Sequence, residues 1–314
     1  MMKQQPKDSA VLAAFIEARI KTTGKESADD RMRYRIRFMK LLTSEEGRMR
    51  IERVTGLTGV SQKLVELYGS KRSEFEAARD DYRQSILIEI ESSIDDVGYA
   101  VAVGSSSWES FYEFGRLEAA LLVQYGLLNC RMLVDVGCGS GRLALSLPES
   151  FTGEYVGTDI SKPLLDHLSK MRNDQRFRFV HVDGLTIPVA DGSADMVSMF
   201  SLLTHLRHED SFLYLRDTKR VLRSGGTVVF SFLDFSQEDH WEFFHDTVAA
   251  LESGQLHHIN QFMSRDLVMA WAKMLEFDVV DIHNSGDQHI VCTEPDGTKR
   301  LASIGQSVAV WRKP

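Results

Sequence analysis

The sequence predicts an α/β fold preceded by a helical N-terminal domain, and three observations carry that expectation. The run Val134-Asp135-Val136-Gly137-Cys138-Gly139-Ser140-Gly141-Arg142 ends an apolar segment in three glycines at alternate positions, and Leu143, Ala144, Leu145 and Leu147 follow at helix-like spacing. Further apolar runs recur at 154–159, 177–182, 195–200 and 227–232, the pattern of an open sheet built from strand–helix units. The first hundred residues lack such runs and read as helices at 10–20, 31–42, 62–68 and 74–94, broken near Gly24, Gly56 and Gly69. The expected boundaries are a helical domain over 1–105 and a catalytic domain over 106–314, with insertions at about 234–262 and 286–304.

The glycine run is expected to form a strand, a tight turn and a helix start. Glycine allows positive φ and close approach of backbone to a ligand. A dinucleotide site requires G-x-G-x-x-G with a pyrophosphate over the helix N-terminus. Here the spacing is G-x-G-x-G, Arg142 stands where the last glycine belongs, and Asp135 lies near the pyrophosphate position. An acidic residue there suits a cationic amino group better than an anion, so a ligand with an amino-acid end and a nucleoside end fits.

The second strand ends in Asp159, twenty residues after Gly139, the spacing at which a carboxylate accepts hydrogen bonds from ribose hydroxyls. Ser161 is expected to cap the next helix. The third strand ends in Asp183-Gly184, whose carboxylate and N–H can read an adenine edge, with Ile160 and Leu185 against the two ring faces.

These blocks carry a resemblance. VDVGCGSGR, YVGTDIS, VHVDGLTIP, ADMVSMFSLLTHL and VLRSGGTVVFS stand in the order and spacing of the class I S-adenosylmethionine-dependent methyltransferases, and the stretch from about 109 to 314 resembles that family. The resemblance implies a Rossmann-like seven-stranded, mostly parallel sheet with helices on both faces and an antiparallel last strand, here 307–311. It implies S-adenosyl-L-methionine as cofactor, with Gly137, Cys138, Gly139, Gly141 and Arg142 in its cradle. It also implies an Arg after Gly, here Arg116, on the cofactor carboxylate, and a backbone carbonyl at Phe200 or Ser201 on its amino group. His205 then falls near the methyl group, the expected general base for a hydroxyl acceptor. SLLTHL and the ending GQSVAVWRK are similar to methyltransferases of glycan and secondary-metabolite pathways.

The remaining candidates are tied to the acceptor. Tyr112 is expected at the pocket's edge on a helix running from 107 to about 125. The insertion after the fifth strand reads as an amphipathic helix with Trp241, Phe244 and Val248 facing inward, and His240 or His245 is an alternative base. With His257 and His258 these histidines match no standard metal-ligand spacing, so no metal is expected. A hairpin with a turn at 294–297 is expected before the last strand.

Composition bounds the partners. The 314 residues carry a net charge of −8 and 43% apolar residues. Residues 1–100 hold 18 Lys/Arg and 17 Asp/Glu, leaving 19 and 28, or −9, on the rest; an acidic catalytic part argues against a nucleic-acid acceptor. The Arg31, Arg33, Arg35, Arg37 alternation spreads around a helix axis and reads as a solvated face. Cys130, Cys138 and Cys292 form no disulfide framework, no apolar run reaches eighteen residues and the first residues lack a secretory core, which together predict a reduced, cytoplasmic protein. The expected activity is O-methylation of a small-molecule or sugar-containing metabolite, the N-terminal helices covering the acceptor side or forming a homodimer. The rivals are methylation at nitrogen, carbon or carboxylate of a small molecule, protein or RNA, and a cofactor-binding protein without catalysis.

Overall fold

The computed structural model describes residues 96–252, 260–293 and 296–314, with scattered positions before residue 91. The chain divides into two compact units, 1–84 with 246–258, and 85–245 with 259–314. The helices expected over 10–94, the arginine alternation at 31–37, and His257 and His258 lie outside the described residues, save for single helical positions such as Glu17 and Lys21.

The second unit holds the sheet. After the short helix α1 (Val97–Val101) comes α2 (Trp108–Gln124), which starts at a reciprocal cap: Ser107 and Ser110 bond each other's backbone N–H. The strands β1 (Met132–Val136), β2 (Glu154–Asp159), β3 (Phe177–His181), β4 (Ala194–Met199) and β5 (Leu222–Asp234) run parallel. Between them lie α3 (Lys162–Met171) and α4 (His208–Val221). Helix α5 (Trp241–Glu252), β6 (Phe262–Met263), α6 (Arg265–Met274) and β7 (Asp278–His283) follow. The hairpin β8 (Ile290–Thr293) and β9 (Lys299–Ala302) precedes β10 (Ser307–Arg312).

The sheet order is β3-β2-β1-β4-β5-β10-β7, with β10 antiparallel to both neighbours, as the resemblance implied. An eighth short strand, β6, pairs with the end of β5 at Leu233 and Asp234 and was not read from the sequence. The central strands are buried on both faces, so successive residues serve different cores. Val134, Val197, Phe230 and Trp311 pack with Leu215 of α4 and Trp271 of α6. Leu133, Tyr155, Met196 and Val310 pack with Leu121 of α2 and Leu165 of α3. Among the described residues, no helix is long and apolar enough to cross a membrane.

Two local expectations fail. No helix follows the glycine run: residues 141–146 form successive turns, with one helical bond from Leu145 N–H to Gly141 O. Pro148 explains this, because it lacks a donor N–H and disfavours helical geometry at Leu147. Ser161 holds the cap position of α3, but its hydroxyl makes no capping bond.

Helix α2 lies directly on the turns after the glycine run. A Cβ on Gly115 would overlap the Arg142 carbonyl oxygen and Ser146 Oγ. Gly115→Ala is therefore expected to destabilise by about 1–3 kcal/mol through overpacking, although alanine ordinarily favours a helix by about 1 kcal/mol. Gly184→Ala, where a Cβ meets nothing within 4 Å, is the neutral control. Urea unfolding of the two variants measures the difference, and an unchanged midpoint for Gly115→Ala would refute the close contact.

Candidate cofactor and acceptor site

The glycine run closes onto the end of β2 and not outward. Gly137, Gly139 and Gly141 have φ of 77°, 55° and 95°. The N–H groups of Gly137 and Cys138 both donate to the Thr158 carbonyl, that of Gly139 to Asp159 Oδ2 at 2.9 Å, and that of Gly141 to the Cys138 carbonyl. These donors are spent inside the protein and no helix N-terminus follows. These four N–H groups are thus turned away from any phosphate the loop could face. Cys138 is buried with its Sγ against Gly157, and burial pushes its thiol well above the usual range, so it fills space and is no nucleophile.

Two carboxyl groups lie beneath and beside this loop. Asp159 is buried, accepts from Gly139 N–H and from Ser161 N–H at 2.7 Å, and burial raises its carboxyl from the usual range. Each carboxylate oxygen keeps acceptor capacity beyond one bond. Asp135 is also buried and accepts from Tyr155 Oη at 2.6 Å and Ser198 Oγ at 2.8 Å. Burial pushes its carboxyl up to about 7 against those two hydroxyls. Both oxygens of Asp135 thus brace β1 against its neighbours, where the sequence suggested contact with a ligand amino group.

Arg142 points inward. Its Nη2 pairs with Glu118 Oε1 of α2 at 2.6 Å and reaches Ser201 Oγ at 3.3 Å, while Nη1 donates to the Val103 carbonyl at 3.2 Å. Burial pushes the Glu118 carboxyl up, and the guanidinium pulls against it. Arg116, the expected carboxylate clamp, is exposed on α2, and the guanidinium turned into this region belongs to Arg142. Segment 97–103 also sits on the loop: Ser140 Oγ donates to the Tyr99 carbonyl at 2.7 Å, and the Tyr99 ring stacks on His167 of α3 at 3.7 Å. Tyr112 is half-buried with its ring against Trp108 and Phe111.

At the end of β3, Asp183 and Gly184 are exposed, Ile160 and Leu185 are half-buried, and Tyr214 Oη donates to the Gly184 carbonyl at 3.1 Å. At the end of β4, Phe200 is buried and Ser201 adopts φ 54°, a left-handed conformation. For a residue other than glycine this strain costs on the order of 1–3 kcal/mol and persists only where surrounding bonds impose it. Ser201 N–H donates to Ser231 Oγ at 2.8 Å, and its carbonyl accepts from Thr204 Oγ1 at 2.7 Å. Gln306, which the sequence reading missed, bridges Ser231 Oγ at 2.6 Å and Ser201 Oγ at 3.2 Å.

The histidines separate by geometry. His205 ends the short helix Leu203–His205 directly after Ser201 and is half-buried. Gln261 N–H donates to the Thr204 carbonyl at 2.7 Å, tying this turn to β6. His240 is fully buried: Nδ1 accepts from Asp234 N–H at 2.8 Å, and Nε2 faces the Gly305 carbonyl at 3.3 Å. Both nitrogens are engaged by backbone, which ties the end of β5 to Gly305. His245 is exposed against the rings of Trp241 and Phe244. Trp241 is 42% exposed and does not face inward as expected. Phe244 does pack, on Phe235 and Phe262 at 5.7 and 5.6 Å. No cluster of His, Cys, Asp and Glu suited to a metal ion occurs among the described residues.

Residues 134–230 match the family of methyltransferase domains. A demethylmenaquinone methyltransferase of Staphylococcus aureus is 34% identical over 123 residues, 38% of this chain and 50% of that protein. An uncharacterised methyltransferase of Schizosaccharomyces pombe is 26% identical over 184 residues, 54% of this chain and 64% of that protein. The matches thus span between half and two-thirds of these curated relatives. Magnesium protoporphyrin IX methyltransferase of Synechocystis, solved with S-adenosylhomocysteine, superposes with a TM-score of 0.52 at 13% identity, covering 77% of this chain and 100% of that one. The 1,6-didemethyltoxoflavin-N1-methyltransferase of Burkholderia thailandensis gives a TM-score of 0.50 at 13% identity, covering 78% and 92%. At that identity the two structures establish the fold alone.

Proposed function

We propose that this chain, which carries a class I S-adenosylmethionine-dependent methyltransferase domain, methylates an oxygen of a small-molecule acceptor. The observation that carries the cofactor is the inward-turned glycine loop. The N–H groups of Gly137, Cys138, Gly139 and Gly141 are bonded internally, and the group presented at the end of β2 is the carboxylate of Asp159. Such a surface suits a nucleoside with an uncharged diol and rejects a pyrophosphate.

When bound, S-adenosylmethionine supplies a methyl group already activated by its sulfonium, so the protein mainly aligns the acceptor. Asp159 would accept from the ribose hydroxyls, with Ile160, Asp183, Gly184 and Leu185 around the base. The carbonyl end of β4 at Phe200 and Ser201 would take the amino group. Arg142, held by Glu118, is the guanidinium on that side for a carboxylate. A hydroxyl acceptor must lose its proton as the new bond forms, and His205 would take it from the acceptor oxygen. The acceptor side is aromatic: Phe235, Phe244, Phe262 and Trp241 form linked ring pairs beside the segment tied to the His205 turn. Rings of this kind suit an acceptor with a flat apolar part, in keeping with the name of the staphylococcal relative.

Calorimetric titration with S-adenosylhomocysteine tests the cofactor assignment. Wild type is expected to bind, and Asp159→Ala to bind about 10–100-fold more weakly, since a hydrogen bond to a charged group is worth about 1.5–3 kcal/mol. Equal affinity in the two proteins would remove Asp159 from the site. A protein that binds but transfers a methyl group to no oxygen, nitrogen or carbon acceptor would favour the non-catalytic reading, and transfer to nitrogen or carbon alone would overturn the oxygen assignment.

A further inference from the structure

We propose that Gln306 is a positioning residue for cofactor binding: it imposes the left-handed backbone at Ser201, where β4 gives way to the turn carrying His205. The inference rests on the methyltransferase reading above and gives a role to a residue outside the five ordered blocks, in the family-like ending GQSVAVWRK.

Ser201 is held at φ 54° by bonds to all of its polar groups. Its N–H goes to Ser231 Oγ, its carbonyl receives Thr204 Oγ1, and its Oγ receives Gln306 Nε2 and Arg142 Nη2. Ser231 Oγ, having accepted the Ser201 N–H, donates to Gln306 Oε1 at 2.6 Å. One carboxamide thus closes a ring through both serines, and the ring needs an acceptor and a donor on the same group. Glutamine supplies both; leucine supplies neither and a carboxylate only the first.

Gln306 is itself fixed from β5. It follows Gly305, whose φ is 69° and whose carbonyl faces His240 Nε2. His240 Nδ1 in turn accepts from Asp234 N–H at the end of β5. Gln306 is not needed to hold β10 in the sheet. That strand already pairs with β5 from Ser307 to Arg312 and with β7 from Val308 to Arg312. Among the described residues its amide bonds Ser201 and Ser231, at the strand end where the cofactor amino group would be received. Without Gln306, Ser201 is free to relax to negative φ, which turns the peptide between Phe200 and Ser201 away from the site.

The test is calorimetric binding of S-adenosylhomocysteine together with thermal melting. Gln306→Leu is expected to melt close to wild type and to bind roughly tenfold more weakly, the worth of about one well-placed hydrogen bond. Gln306→Glu supplies a readout that a filler role would not move. Its ionised carboxylate cannot donate to Ser201 Oγ, but the protonated acid can. Its affinity relative to wild type is therefore expected to recover as pH is lowered from 7 to 4, through the ordinary glutamate range of about 4.3. Should Gln306→Leu fail to fold, Ser231→Ala breaks the same ring by removing one methyl-sized polar group and is expected to give the same loss. Wild-type affinity in Gln306→Leu, or in Ser231→Ala where the first is unfolded, overturns the proposal, as does a Gln306→Glu affinity that ignores pH. A wild-type protein that binds no S-adenosylhomocysteine overturns the methyltransferase reading itself, and is told apart by that single titration.

Discussion

His205→Ala is expected to lower methyl transfer by about 100- to 10,000-fold, the range of a lost general base, while leaving S-adenosylhomocysteine affinity unchanged. The prediction follows from where the ring is held. Its turn is braced on one side by Thr204 Oγ1 donating to the Ser201 carbonyl, and on the other by Gln261 N–H donating to the Thr204 carbonyl. A base on such a turn is aimed by backbone on both flanks. The competing histidines are distinguished by the same logic. His240 has both nitrogens on backbone and cannot take a proton without breaking the link to Asp234 or Gly305. His245 is exposed on a helix, against Trp241 and Phe244. His245→Ala is the paired control in the same transfer assay and is expected to retain most turnover. Added imidazole is expected to restore part of the His205→Ala activity, since it replaces a proton acceptor without replacing a contact. Turnover within threefold of wild type in His205→Ala would remove it as base.

The strands were legible because burial on both faces leaves long apolar runs, and their carboxyl ends were legible because acidic residues stop them. Asp159 shows how far such a reading goes. Its spacing from Gly139 predicts a ligand contact, yet its bond to the Gly139 N–H needs the loop's fold to be seen. The missing helix after Gly141 was in principle readable from Pro148, whose effect on the preceding turn outweighed the helical spacing of Leu143 to Leu147. Glu118 also left a signal. It shares the buried stripe of α2 with Phe111, Gly115 and Leu122, and a carboxylate on such a stripe requires a buried partner. Gln306 left none. It is one polar residue before an apolar strand, and only the antiparallel register that sets Val308 against Ser231 brings it to Ser201, 105 residues away in sequence. Of the Gly115–Arg116 pair, helical geometry turns the glycine to the loop and leaves the arginine exposed, which the sequence alone does not show.

Arg142→Met carries the largest expected loss of stability, about 3–5 kcal/mol, the usual effect of removing one partner from a buried ion pair. Methionine keeps most of the length and apolar stem of arginine, so the change isolates the charge. Glu118, with 4% of its side chain exposed, would then keep a buried carboxyl with no cation at 2.6 Å. Burial already pushes that carboxyl up while Arg142 opposes it, and without the guanidinium it rises further. A carboxyl whose folded pKa lies above its unfolded value binds more protons in the folded state across that interval, so stability falls as pH rises through it. The deficit of Arg142→Met relative to wild type is therefore expected to be larger at pH 8 than at pH 5. Adding Glu118→Leu removes the stranded charge and is expected to recover most of the loss, because an apolar pair often replaces a buried ion pair at little cost. Part of the loss should remain, since the Arg142 guanidinium also donates charge-assisted hydrogen bonds to the Val103 carbonyl and Ser201 Oγ. Urea unfolding at the two pH values decides it. A single-variant loss below 1 kcal/mol, or a double variant no more stable than the single, would mean that the pair is not the brace between α2 and the glycine loop. If the brace holds as described, the double variant is expected to fold well and still bind S-adenosylhomocysteine more weakly, because the guanidinium that steadies Ser201 is gone.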